Sequence, residues 1–135
     1  MSVKTLDGGC LCGAIRYRVS GKPTNTMICH CQSCRRAAGS PVVAWLTFAT
    51  TDLQFTKGQP VEFSSSPPVR RAFCGSCGTP LTYAHQDSPA SIDVTTCSLD
   101  APQSFPPTHH SWLSDDVEWV RFGDGLPTYP QSRPR

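Results

Sequence analysis

Seven of the eight cysteines in this 135-residue chain fall in three short motifs. They are C-x-C at Cys10 and Cys12, C-x-C-x-x-C at Cys29, Cys31 and Cys34, and C-x-x-C at Cys74 and Cys77, while Cys97 stands apart. No other feature restricts the fold as strongly, because thiols so close in sequence must pair with one another or share a ligand. The opening residues MSVKTLDGG lack the apolar core of a secretion signal, and no stretch approaches the roughly 18 apolar residues of a membrane span. A cytoplasmic protein without a membrane segment is therefore expected. In that reducing compartment, clustered cysteines bind metal or do chemistry rather than form disulfides.

Zinc takes thiolates at about 2.3 Å in a tetrahedral array, and neighbouring ligands cost little extra chain entropy. In an extended segment Cys10 and Cys12 point to the same face. Gly75 and Gly78 permit the tight knuckle of the C-x-x-C pair. Together Cys10, Cys12, Cys74 and Cys77 form a closed structural zinc site that ties the start of the chain to its middle. Cys29, Cys31 and Cys34 supply only three ligands to a second zinc, which leaves a position open for a thiol or water of lowered pKa. Two zinc ions per chain are expected. A competing reading closes the second site with Cys97 or with one of His30, His85, His109 and His110. His30, between two ligands, is expected to point away from them.

The remaining composition shapes the scaffold. Thirteen prolines and ten glycines against 38% hydrophobic residues imply short elements, many turns and a core in need of a metal staple. Period-two alternation marks Ala14 to Ser20 as a half-buried strand, and Pro41 to Phe48 reads as a strand buried on both faces. Further short strands are expected at Leu53 to Phe55, Val61 to Phe63, Arg70 to Phe73, Leu81 to Tyr83, Ile92 to Thr96 and Trp119 to Phe122. The segment Cys31 to Ala38 reads as the single short helix, ended by Gly39. The expected fold is thus mainly β: a small, zinc-stapled antiparallel β-sheet domain whose one short helix carries the second cysteine cluster. One domain is expected over residues 1–135, with its core at 8–129 and a frayed tail from Pro127.

A formal charge of +2 without a basic run gives little footprint for nucleic acid. Arg35 and Arg36, next to the second cluster, are candidate anion-binding residues for a substrate carboxylate. The alternative function is a non-catalytic zinc module that binds a protein partner through sheet edges or an aromatic surface including Trp112 and Trp119.

The segments GGCLCGAIRYRV, CHCQSCRRAAG, FCGSCGTPL, SLDAPQSFPP and HSWLSDDVEWVRFGDGLPTY together resemble the glutathione-dependent formaldehyde-activating enzyme family, to which centromere protein V is also similar. The resemblance runs from Gly8 to Tyr129. It implies a mainly β fold with Cys10, Cys12, Cys74 and Cys77 as structural ligands and Cys29, Cys31 and Cys34 as catalytic ones. It also implies a carbon–sulfur lyase that interconverts glutathione and formaldehyde with S-hydroxymethylglutathione. Cys97 departs from the family pattern, which more often has a small residue there. The centromere-protein branch suggests a nucleic-acid or cytoskeletal role, but no long basic extension accompanies this chain.

Overall fold

The computed structural model describes residues 4–134. In chain order the elements are β1 (Thr5–Gly9), β2 (Arg16–Ser20), β3 (Asn25–Cys29), α1 (Gln32–Ala38), β4 (Val43–Ala49), β5 (Leu53–Lys57), β6 (Val61–Ser66), β7 (Val69–Phe73), β8 (Pro80–His85), β9 (Ser91–Thr95) and β10 (His110–Ser111). They build a three-stranded sheet, β1-β2-β5, and a seven-stranded sheet, β10-β3-β4-β9-β8-β7-β6. Pairing is antiparallel throughout except between β10 and β3. Among the described residues no helix is long and apolar enough to cross a membrane.

The two sheets share a core because each offers one apolar face. In β2 the alternation places Tyr17 and Val19 inward, and these meet Leu46 and Phe48 of β4, Leu81 of β8 and Val94 of β9. The hydroxyl of fully buried Tyr17 is satisfied by Ser98 Oγ at 2.6 Å. Directly opposed residues of an antiparallel pair share a face. The row Asn25, Thr47, Asp93, Tyr83 and Arg71 therefore crosses five strands on the side of the larger sheet that turns away from this core. Met27, Cys29 and Trp45 lie on that same side, by the period of two along β3 and β4. Such a polar and aromatic face on a sheet otherwise packed apolar is where a site can form.

Seven of the expected strands exist, with ends shifted by one to three residues. Trp119 to Phe122 is not a strand: Val120 N–H bonds back to Val117 C=O at 3.2 Å in a turn, and Trp119 is 77% exposed, with no strand paired to it among the described residues. The sequence reading missed β1, β3 and β10. These strands lack clear alternation and owe their conformation to partners distant in sequence. The tail from Pro127, expected to fray, is tied down through Gln131. Tyr129 N–H bonds to His110 C=O at 2.9 Å, and the amides of His110, Trp112, Leu113 and Ser114 bond to Pro127, Gln131, Tyr129 and Pro130. The open edge of β10 explains this, since its unpaired backbone groups find partners only in the tail.

Candidate metal and active site

The first cluster is made by two knuckles. After Cys12 and after Cys77 the chain turns through glycines in the left-handed region, Gly13 at φ 81° and Gly78 at φ 82°, where a side chain would be strained. Gly78 N–H closes its knuckle on Cys74 C=O at 2.8 Å. The four sulfurs of Cys10, Cys12, Cys74 and Cys77 lie within 4.8 Å of one another. Ligands at about 2.3 Å in a tetrahedron stand about 3.8 Å apart. Cys10 Sγ is 3.7 Å from Cys12 Sγ, which is 3.8 Å from Cys74 Sγ. Backbone amides point at these sulfurs: Ile15 N–H donates to Cys10 Sγ at 3.2 Å, and Ser76 and Cys77 N–H donate to Cys74 Sγ at 3.4 Å. The Thr79 hydroxyl, followed by its amide, holds the Cys77 thiol down at about 5. Spacing and amide donors fit a tetrahedral soft-metal site.

The second cluster sits where β3 passes into α1. Cys29 ends β3, Cys31 is the N-cap of α1, and Cys34 lies on its first turn. Cys31 Sγ takes the part that a Ser or Asp oxygen usually plays, accepting Cys34 N–H at 3.3 Å. Gly39, left-handed at φ 61°, stops the helix by returning its N–H to Arg35 C=O. The three sulfurs again lie within 4.8 Å. Hydrogen bonds from Cys29 and then Cys34 pull the Cys31 thiol down to about 2, whereas the same contacts push Cys29 far up. One thiolate among thiols is what three crowded sulfurs adopt alone, and a cation would let all three ionise. Among the described residues neither Cys97 nor any histidine joins this cluster. Both clusters could hold metal ions.

This second cluster opens into a cavity of about 620 Å³ floored by the polar face of the larger sheet. Arg71 dominates it. Its guanidinium stacks 5.0 Å from the centroid of the Tyr83 ring, and both terminal nitrogens stand 3.9 Å from Cys34 Sγ. Asp93, accepting from Thr47 Oγ1 at 2.6 Å, also faces the cavity, and burial pushes its carboxyl up to about 6. Trp112 forms part of the wall and packs on the cluster from a left-handed backbone, φ 61°, unusual for so large a residue. Arg35 and Arg36, the expected anion binders, lie outside the cavity walls. Arg71, Tyr83 and Asp93 carry no motif. The alternation of β7, β8 and β9 could have placed them on one face, but nothing local links them to the cysteines.

Behind the cluster lies a buried chain of rings. His30 Nε2 meets His110 Nδ1 at 3.0 Å, and His110 Nε2 meets Asp124 Oδ2 at 2.9 Å. Asp124, held low by the Leu126 amide and then by His110, accepts the His110 Nε2–H. His110 Nδ1 is then the acceptor for His30 Nε2–H. His30 does turn away from the sulfurs, and burial followed by the neighbouring His110 lowers its pKa.

A two-sheet β-domain clasped by one four-thiol knuckle, with a second three-thiol cluster at the mouth of a cavity, defines a class of cysteine-cluster proteins suited to bind metal. The sequence profile of the glutathione-dependent formaldehyde-activating enzyme family matches residues 5–115, and the chain belongs to that family. It is 29% identical over 126 residues to a protein of Halomonas elongata described as a putative glutathione-dependent formaldehyde-activating enzyme, covering 85% of this chain and 79% of that one. Over 80 residues it is 32% identical to an uncharacterized lyase of Schizosaccharomyces pombe, covering 58% of this chain and 57% of the yeast protein. The crystal structure of a Rhodobacter sphaeroides protein shares the fold, with a TM-score of 0.60 at 20% identity over 92% of this chain and 99% of that one.

Proposed function

We propose that this chain is a zinc-dependent carbon–sulfur lyase acting on a thiol–aldehyde adduct of the glutathione and S-hydroxymethylglutathione type. The observation that carries the reading is the cluster of Cys29, Cys31 and Cys34, three thiols without a fourth protein ligand among the described residues, opening on a cavity that also holds Arg71. The names of the two relatives point the same way. A zinc ion held by these three residues would offer its remaining position to a substrate thiol and keep it deprotonated near neutral pH.

The chain's own groups supply the rest. In the synthetic direction the glutathione sulfur forms a bond to the carbonyl carbon, and the C=O π pair moves to oxygen, which takes up a proton. In the reverse direction that proton leaves and the C–S bond breaks, with no net redox change. Arg71 places positive charge beside the sulfurs, where it favours a thiolate and could accept a substrate carboxylate. Asp93 is the cavity carboxyl whose raised pKa suits it to carry the proton near neutrality. Trp45 and Trp112 line the same cavity and shed water from it.

The test is zinc content and turnover of glutathione with formaldehyde, on wild type and Cys31→Ser. Two zincs with turnover in wild type, and one zinc without turnover in the variant, support the reading. Turnover unchanged in Cys31→Ser would sink it. The protein-binding alternative draws on exposed apolar residues, Leu11 at 89% and Trp119 at 77%. It moves ahead if both metals prove inert to added thiols.

A further inference from the structure

A second cavity, about 410 Å³, lies between α1 and the β6–β8 end of the larger sheet. Its character is different. Ala38, Val43, Phe63, Phe73 and Pro80 wall it, and Arg71 is the one charged residue around it among the described residues. It shares Cys34, Trp45 and Arg71 with the cavity of the second cluster, so both chambers border on Cys34. Phe63, 62% exposed on edge strand β6, lines it and leaves most of its apolar surface open.

Formaldehyde has no group that could fill such a space. The carbon joined to a thiol at the second cluster would lie next to both chambers. A substituent on that carbon has the apolar chamber within reach, while the polar groups of the thiol partner have the larger chamber beside Arg71 and Asp93. Burying each methylene in such a chamber is worth about 0.8 kcal/mol, or roughly fourfold in affinity.

We infer that the apolar chamber binds the hydrocarbon substituent of the carbonyl partner, so that the preferred adducts are those of aliphatic aldehydes longer than formaldehyde. The inference rests on the lyase reading for its thiol partner, and names the substrate class of that same site.

The test uses calorimetry on the full chain, as purified with its metal, with S-methylglutathione and S-hexylglutathione. In the second probe the first methylene stands in for the carbonyl carbon and the remaining pentyl chain for the substituent. Ethanethiol and hexanethiol form a parallel pair without glutathione. Hexyl over methyl is expected to be at least about tenfold tighter. Ala37→Phe, which fills the chamber from an exposed helix position, is expected to collapse that ratio toward one, and Phe63→Ser to reduce it severalfold. Equal binding of both chain lengths, or a ratio unmoved by Ala37→Phe, would overturn the inference while leaving the lyase reading to its own turnover test. Should hexanethiol outbind ethanethiol while neither glutathione derivative binds, the chamber stands and glutathione is the wrong thiol. If Phe63→Ser instead converts a dimer to a monomer by sedimentation without altering chain-length preference, the chamber is a subunit contact and the inference is lost.

Discussion

Arg71 reaches from β7 to Cys34 at the start of α1, two residues 37 apart in sequence, and holds both terminal guanidinium nitrogens 3.9 Å from its sulfur. The Tyr83 ring beneath the guanidinium, its direct cross-strand partner, keeps it there. Under the lyase reading proposed above, Arg71→Ala is expected to lower kcat/KM for thiol addition about 10- to 100-fold with metal content unchanged, the range for losing one charged hydrogen-bonding partner. Arg71→Lys should recover only part, because an ammonium cannot both stack and fork. Steady-state kinetics beside metal analysis checks this, and loss of metal from Arg71→Ala would reassign the residue to scaffolding.

The two cysteine clusters should respond differently to loss of a ligand. Cys12 and Cys74 join segments 62 residues apart, so Cys74→Ser is expected to unfold the chain or lower Tm by more than 10 °C, on the order of the large folding contribution of a closed zinc site. Cys31→Ser should shift Tm by only a few degrees, since its segment remains capped by Gly39 and paired through β3 and β4. Thermal melts with and without a strong chelator distinguish the two, and equal losses would contradict the division of roles.

Asp93 sets a pH dependence. Its folded pKa, about 6 against an ordinary 3.8, means the native state binds more protons than the unfolded chain between those values. Stability therefore rises as pH falls from about 7 toward 4, and at pH 7 the buried charge costs about 1–3 kcal/mol. Asp93→Asn should recover about that amount at pH 7 and flatten stability across this interval, while slowing turnover if Asp93 carries the proton. Urea titrations at several pH values check the sign, and a variant less stable at pH 7 would refute the assignment.

His110 is buried with a hydrogen bond at each ring nitrogen, so Asp124→Ala leaves the Nε2–H unpaired. The expected cost is about 1–3 kcal/mol of stability. His30 also lies between Cys29 and Cys31, so weaker retention of a metal held by that cluster, by about 10- to 100-fold, should accompany it. Competition with a chromogenic chelator measures this, and unchanged retention would confine the network to folding.

Much of the scaffold could be read locally. The Cys29, Cys31 and Cys34 cluster, the C-x-C and C-x-x-C pairs taken singly, the α1 boundaries with the Gly39 stop, and the alternation of β2 depend on spacing within a few residues, where chain geometry alone dictates direction. Trp119 to Phe122 misled because an apolar aromatic run marks a strand only if an edge is free to pair with it.

The sequence by itself determined the local thiol pairs and the Cys29, Cys31 and Cys34 cluster, since short-range spacing decides which sulfurs can converge before any tertiary contact forms. Only the tertiary structure decided what stands around the open cluster. It placed Arg71, and not Arg35 or Arg36, in the cavity wall, brought Asp93 and Trp112 to the same cavity, and tied the tail to β10. Those relationships depend on strand order and register across a seven-stranded sheet. Strand order is set by the collective packing of both sheets and has no signature in the residues nearest each position.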